Sequence, residues 1–91
     1  MDSMTKMDII NKLRSEFPEE VEDSKNYFMM AQAAENMGHY DVAEGLYEIA
    51  KDEYTHARFI KHFLKNTGEP IPEAECEKYH EIKKMIAGKF C

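Results

Sequence analysis

The amino-acid sequence predicts an all-α domain made of an antiparallel helical hairpin and a short C-terminal helix. Alanine, glutamate, lysine, methionine and leucine are abundant and valine is scarce, a composition that favours helix over strand. The three prolines and four glycines fall mostly where turns are expected, and 91 residues suffice for one small domain. Apolar residues recur at alternating steps of four and three, which is typical of bundle helices. Helical stretches are expected over 1–17, 18–38, 41–65 and 73–88.

The ends of these helices follow from a few residues with strong conformational preferences. Asp2 and Ser3 can cap the N-terminal helical segment. Pro18 is expected to kink or restart the helix, because proline lacks an N–H group and clashes with the preceding turn. Gly38 suits the left-handed position just after a helix, and Asp41 suits the cap of the next one.

The second long helix carries an apolar stripe that two ionisable residues interrupt. Glu53 and His56 occupy one level of it, where aliphatic side chains are expected. A buried carboxylate without a partner costs several kcal/mol or shifts its pKa, so another group must meet it. The members of the stripe are Val42, Leu46, Ile49, Glu53, His56, Ile60 and Phe63.

A carboxylate also interrupts the stripe of the first long helix, at Glu20. Glu20 lies 18 residues before Gly38, and Glu53 lies 15 residues after it. At about 1.5 Å per residue these are depths of roughly 27 and 22 Å in an antiparallel hairpin. The difference is about one helical turn, which the path of the turn and the length of a glutamate side chain can absorb. Glu20, Glu53 and His56 are therefore expected to share one layer. The members of this stripe are Leu13, Phe17, Glu20, Ser24, Tyr27, Ala31, Ala34 and Gly38.

Two carboxylates and an imidazole that converge in an apolar layer suit a divalent transition metal. One hairpin offers only three ligands and cannot bury its own apolar stripe. A two-fold homodimer removes both defects, because it makes a four-helix bundle with four glutamates and two histidines. That set is the di-iron carboxylate pattern, in which two of the helices carry Glu-x-x-His.

The same residues carry a resemblance to one half of the di-iron domain of rubrerythrins, within the ferritin-like superfamily. The similar stretch runs from residue 20 to residue 64, about half of the chain. Half-length relatives such as encapsulated ferritins build their site as a homodimer, and the resemblance implies the same ferritin-like four-helix bundle here. The matching residues are Glu20, Tyr27, Ala31 and Gly38, then Ile49, Ala50, Glu53, His56 and Ala57.

The resemblance also implies roles for individual residues. Glu20, Glu53 and His56 would be iron ligands, Tyr27 would hydrogen-bond to a ligand, and Asp23 would be an additional or alternate ligand. The implied cofactor is a di-iron centre, with manganese or zinc as substitutes. The implied activity is ferroxidase or peroxide-reducing oxidoreductase. The chain contains no CxxC pair like that of a rubredoxin-like domain, so a peroxidase would need an external electron donor.

Other readings of these residues stay open. Glu53 and His56 can form a buried polar pair that fixes the register of a metal-free structural or interaction dimer. The site can also hold zinc or manganese without redox turnover. The same Glu-x-x-His spacing recurs at Glu77 and His80, but there the apolar stripe is Tyr79, Ile82 and Ile86, so that copy is expected to face solvent.

Charge and composition limit the partners and the location. A net charge of −6 disfavours nucleic acid and anionic membranes as partners. No apolar run approaches the roughly 20 residues of a membrane span, and we see no signal peptide. Cys76 and Cys91 form no metal-binding set and are expected to be reduced thiols. We therefore expect a cytoplasmic homodimer or a higher homo-oligomer.

Overall fold

The computed structural model describes residues 3–90 and is all-α, as the sequence predicts. Helix α1 runs over Lys6–Asn36, α2 over Tyr40–Asn66 and α3 over Glu73–Phe90. Within these described residues there is no β-strand. Two residues considered in the sequence analysis, Asp2 and Cys91, lie outside the described part of the chain.

Helix α1 is a single helix that passes through Pro18. The separate N-terminal segment expected over 1–17 is instead the first half of α1. A proline removes one backbone hydrogen bond from a helix, and here the buried side chains of Phe17 and Val21 anchor the helix close to that position. The cap is also different from Ser3: Thr5 accepts a hydrogen bond from the Asp8 N–H at 3.1 Å, and Asp8 accepts one from the Thr5 N–H at 3.0 Å.

A tight turn over residues 37–39 connects α1 to α2. Gly38 has a φ of 81°, the left-handed conformation expected of it, and the His39 N–H donates to the carbonyl of Ala34 at 2.9 Å. His39 precedes α2 as its cap residue and makes no side-chain capping bond. Asp41, the expected cap, lies in the first turn, where its charge favours the positive end of the helix dipole.

Helices α1 and α2 form an antiparallel hairpin that is closely packed through small residues. On α2, three alanines spaced by seven residues are buried, and Val42 and Ile49 of the expected stripe are 56% and 40% exposed. The buried face of α2 is therefore offset from the expected stripe by about one residue position, for example Ala43 in place of Val42 and Ala50 in place of Ile49. The buried residues of α2 are Ala43, Tyr47, Ala50, Ala57, Ile60 and Leu64.

One buried polar contact joins the two helices of the hairpin. The Ser24 side chain is fully buried, and its Oγ donates a hydrogen bond to the carbonyl of Ala50 at 2.8 Å. This bond satisfies a hydroxyl that would otherwise be costly to bury. It also requires close approach of the two backbones, which the neighbouring alanines permit.

Helix α3 packs across one side of the hairpin through the apolar stripe predicted for it. Tyr79 and Ile82 join the core cluster that contains Phe17, and Ile86 joins the cluster that contains Phe28 and Tyr47. No helix in the described part of the chain is both long enough and apolar enough to cross a membrane. Through its buried stripe, α3 covers one side of the hairpin.

Candidate metal centre

The hairpin brings together three side chains that the sequence predicted to share a layer. Glu20 of α1 and Glu53 and His56 of α2 each place one ligand-type atom within 4.8 Å of the other two. The His56 Nδ1 lies 3.6 Å from the Glu20 Oε2. The depth argument from helix rise and turn length therefore places the residues correctly along the hairpin axis.

The three side chains lie at the edge of the hairpin rather than in its centre. Glu20 and Glu53 are half-buried, and His56 is the most open of the three, with 59% of its side chain exposed. His56 follows Glu53 by three residues, nearly one turn, so both side chains point to the same side of α2. The shift of the buried face of α2 toward Ala50 and Ala57 leaves these side chains beside the core.

The electrostatics of this cluster are strained when no cation is present. The Oε2 of Glu20 is buried and has no hydrogen-bond partner among residues 3–90. The pKa of Glu53 is raised to about 7, first because its protonated form can donate a hydrogen bond to the Glu20 carboxylate, then by burial, then by repulsion from the Glu20 charge. His56 acts in the opposite direction. The Glu53 carboxyl group therefore keeps its proton to a higher pH than an isolated glutamate does.

This donor set fits a transition metal. Three ligands that share one ion, each bound at about 2.1 Å, lie about 3.0–3.6 Å from one another. The three donor atoms here lie within 4.8 Å of one another, so binding would require the side chains to move inward by about 1 Å. A cation between the carboxylates would also satisfy the buried Glu20 oxygen and replace the proton on Glu53. Two carboxylates and a neutral imidazole suit iron, manganese and zinc alike.

Two other residues named from the sequence do not join this cluster. Asp23 is exposed and is not one of the three converging residues. Tyr27 is half-buried and packs against the cluster that contains Phe28 and Tyr47. Its predicted hydrogen bond to a ligand has no counterpart among the hydrogen bonds of the described residues, so this role stays a prediction.

The second Glu-x-x-His sequence lies on the solvent side of α3, as expected. Glu77 and His80 are both exposed, while Tyr79 between them is buried. No third acidic, histidine or cysteine side chain joins them within the part of the chain that the structure describes. His39 and His62 are exposed as well.

Sequence reasoning passed over one side chain next to the cluster, Tyr54. It packs against both core clusters, its ring stacks on Tyr79 with 5.6 Å between centroids, and its hydroxyl accepts a long hydrogen bond of 3.5 Å from Tyr79. Burial, followed by that hydrogen bond, raises the pKa of Tyr79. The sequence could have indicated this, because a residue directly after Glu53 on a helix points about 100° away from it, here toward the core.

No protein-family model matches the chain, and no curated protein and no solved structure is significantly similar to it. The kinship with rubrerythrins therefore stays a prediction from residue spacing. The convergence of Glu20, Glu53 and His56 is independent of that resemblance, because it is a property of the folded chain.

Proposed function

We propose that this protein is a di-iron carboxylate protein that oxidises Fe(II), or reduces peroxide or dioxygen, at a site shared by two copies of the chain. Glu20, Glu53 and His56 of each copy would hold the metal. One observation carries the proposal: the three side chains converge, and the buried Glu20 Oε2 has no hydrogen-bond donor among residues 3–90. A cation is the group that best satisfies that oxygen.

The number of ligands favours a homodimer over a single chain. Three donors leave one ion with open positions and cannot hold two ions. His56 is more than half exposed, so its side of the hairpin is open to a second copy. Two copies would supply four carboxylates and two imidazoles, the set used by di-iron proteins in helical bundles.

Each residue of this chain has a defined part in the proposed site. The raised pKa of Glu53 means that bound metal would displace a proton from it near neutral pH, so metal uptake and proton release would be linked. Glu20 supplies negative charge from α1, and His56 supplies a neutral nitrogen, which requires its deprotonated form. Iron bound there would supply electrons to an O–O bond. The second copy would exclude bulk water from the layer.

The proposed function also implies an electron donor, a cellular location and substitute metals. For a peroxide-reducing cycle the proposed electron donor is a separate protein, since residues 1–91 include no CxxC pair of the kind that binds iron in rubredoxin-like domains. We place the protein in the cytoplasm, where the free thiol of Cys76 stays reduced. Manganese and zinc are the metals expected to substitute for iron.

Metal content and optical absorption test this function. After aerobic loading with Fe(II), we expect about two iron ions per dimer and a near-ultraviolet charge-transfer band of oxidised iron. Glu53→Ala should abolish both the stoichiometric iron and the band. The matched control is Glu77→Ala, which removes the glutamate of the other Glu-x-x-His and should change neither.

The outcomes separate the competing functions. A stable dimer that takes up no metal would overturn the proposal and support a structural or interaction module with a buried polar pair. Stoichiometric zinc or manganese that blocks iron uptake, with no oxidation of Fe(II), would support a non-redox metal protein. Equal loss of iron in Glu53→Ala and Glu77→Ala would show that the variants act through stability.

A further inference from the structure

Among residues 3–90, α3 makes no hydrogen bond, ion pair or aromatic contact with Glu20, Glu53 or His56, and 59% of the His56 side chain is exposed. The contacts of α3 with the hairpin include the stacking of Tyr79 on Tyr54, which follows Glu53 but points toward the core. They also include the ion pair of Lys25 with Glu81 at 3.1 Å and that of Glu35 with Lys89 at 3.3 Å. The molecule measures 49 × 32 × 19 Å, so it is only about two helix diameters thick. Because α3 packs on one side of the hairpin, the opposite side is free to contact a partner.

Along the helix axes, the cluster lies halfway between the two ends of the hairpin. In α2, which runs over Tyr40–Asn66, Glu53 is 13 residues from either end. In α1, which runs over Lys6–Asn36, Glu20 is 14 residues from the first residue and 16 from the last. A two-fold axis at this level, perpendicular to the helices, would place the clusters of two copies against each other with the helices overlapping along their full lengths.

Apolar side chains flank the cluster on both sides along the open side of the hairpin. Val42 and Ile49 lie 11 and 4 residues before Glu53, and His56 and Phe63 lie 3 and 10 residues after it. Val42 and Ile49 are exposed, and Phe63 is half-buried. Two α2 helices that run antiparallel and are centred on Glu53 would therefore place Val42 of one copy level with Phe63 of the other. Ile49 of one copy would be level with His56 of the other.

Charge distinguishes this antiparallel arrangement from a parallel one. Residues 21–53, the half of the hairpin near the turn, hold eight acidic and two basic side chains, a formal charge of −6. The other half, residues 6–20 and 54–66, holds four acidic and six basic side chains, a formal charge of +2. Lys25 and Glu35 are paired with α3, and without them residues 21–53 hold seven acidic and one basic side chain, which is still −6. Packed helices lie about 8–10 Å apart, close to the Debye length of about 8 Å, so charges that face each other across such a contact still interact.

We infer that a second copy of this chain docks on the open side in an antiparallel orientation, with the two-fold axis at the level of Glu53. Val42 then lies beside the partner's Phe63, and the turn of one hairpin lies beside the open end of the other. The acidic half of each copy faces the basic half of its partner, which fixes the orientation. The inference rests on the proposed function only for the role of the shared site; packing and charge carry the orientation.

Cysteine cross-linking of metal-free protein tests the orientation. Cys76→Ser and Cys91→Ser provide a background without native thiols, and Val42→Cys and Phe63→Cys are added in separate chains. We expect the oxidised equimolar mixture to contain at least about five times more disulfide-linked dimer than either variant alone. In the antiparallel dimer the two copies of position 42 are about 33 Å apart along the axis, beyond the roughly 7 Å that a disulfide spans.

A matched control uses the same helix at equivalent axial levels. Glu48→Cys and Arg58→Cys lie five residues before and after Glu53, but they are exposed on other faces of α2. Their mixture should show background cross-linking only. Efficient cross-linking of Val42→Cys with itself would overturn the antiparallel orientation, and a monomer at about 100 μM would overturn the dimer.

A distance measurement covers the case in which Phe63→Cys weakens the fold. A nitroxide on Asn66→Cys, an exposed residue at the end of α2, leaves both core clusters intact. Two labels should be at least about 39 Å apart in the antiparallel dimer, because each lies 13 residues from Glu53. A distance below about 25 Å would indicate the parallel dimer. Neither experiment contains metal, so an antiparallel dimer that fails to bind iron would refute the proposed function alone.

Discussion

Two Glu-x-x-His sequences in this chain have the same spacing and different surroundings. Glu53 and His56 lie on α2 beside Glu20 of the neighbouring helix, and the pKa of Glu53 is raised to about 7. Glu77 and His80 lie on the solvent side of α3. The spacing alone aligns two side chains on one side of a helix. A third carboxylate from another helix, together with partial burial, makes one of the two a candidate metal site.

Metal affinity should separate the two sequences most strongly. His56→Ala removes a donor from the converging group and should weaken Zn²⁺ binding by at least about 100-fold, since even groups that only orient ligands contribute about 10- to 100-fold. His80→Ala should leave the affinity unchanged within error. Titration calorimetry of both variants measures the difference. Equal affinities in the two variants would mean that metal binds outside the cluster.

Stability should separate the buried stripe of α3 from its solvent side. Ile82 is almost fully buried, with 1% exposed, so Ile82→Ala should lower the free energy of unfolding by about 2–5 kcal/mol. Glu77→Ala, five residues away on the exposed side, should change it by less than about 0.5 kcal/mol. Urea denaturation followed by circular dichroism measures both. A large loss in Glu77→Ala would show that the second sequence has a structural role.

The pH dependence of stability should separate the two glutamates more weakly. The pKa of Glu53 rises from 4.5 to about 7 on folding, so the folded state holds its proton more tightly than the unfolded state. Stability from this group is fully present below about pH 4.5 and is lost as the pH rises toward 7. In metal-free protein, Glu53→Gln should therefore gain stability relative to the wild type over this range, on the order of 1 kcal/mol after screening is allowed for.

The control for this pH effect is Glu77→Gln, which makes the same substitution at an exposed glutamate of α3 outside the cluster. Chemical denaturation at several pH values, in the presence of a chelator, measures both variants. If Glu53→Gln and the wild type show parallel pH profiles, folding does not raise the pKa of Glu53 in solution.

The parts of the fold that follow from local rules could be predicted from the sequence. Turn length, the φ of Gly38 and helix rise were enough to bring Glu20 and Glu53 to the same level. Local rules failed where tertiary packing decides. The break at Pro18 did not occur, since one lost hydrogen bond is small beside the burial of Phe17 and Val21.

The register of α2 shows why side-chain size misleads. The stripe predicted from large apolar residues included Val42 and Ile49, which are exposed, whereas the residues against α1 include Ala43, Ala50 and Ala57. Alanines allow two helices to approach closely, and close approach moves large side chains to the margins of the contact. Whether a large residue at such a margin meets water or a partner depends on assembly, which is not encoded in the periodicity of one chain.

The buried bond from Ser24 to the carbonyl of Ala50 has a consequence for the alignment of the two helices. Ser24 lies one turn after Glu20, and Ala50 lies nearly one turn before Glu53. Sliding α1 past α2 by one turn, about 5.4 Å, would break this bond and move the two carboxylates out of reach of a common ion. The hydroxyl of Ser24, one turn from the cluster, therefore fixes the position of α1 relative to α2 along the helix axes. That position sets the distance between metal donors on the two helices.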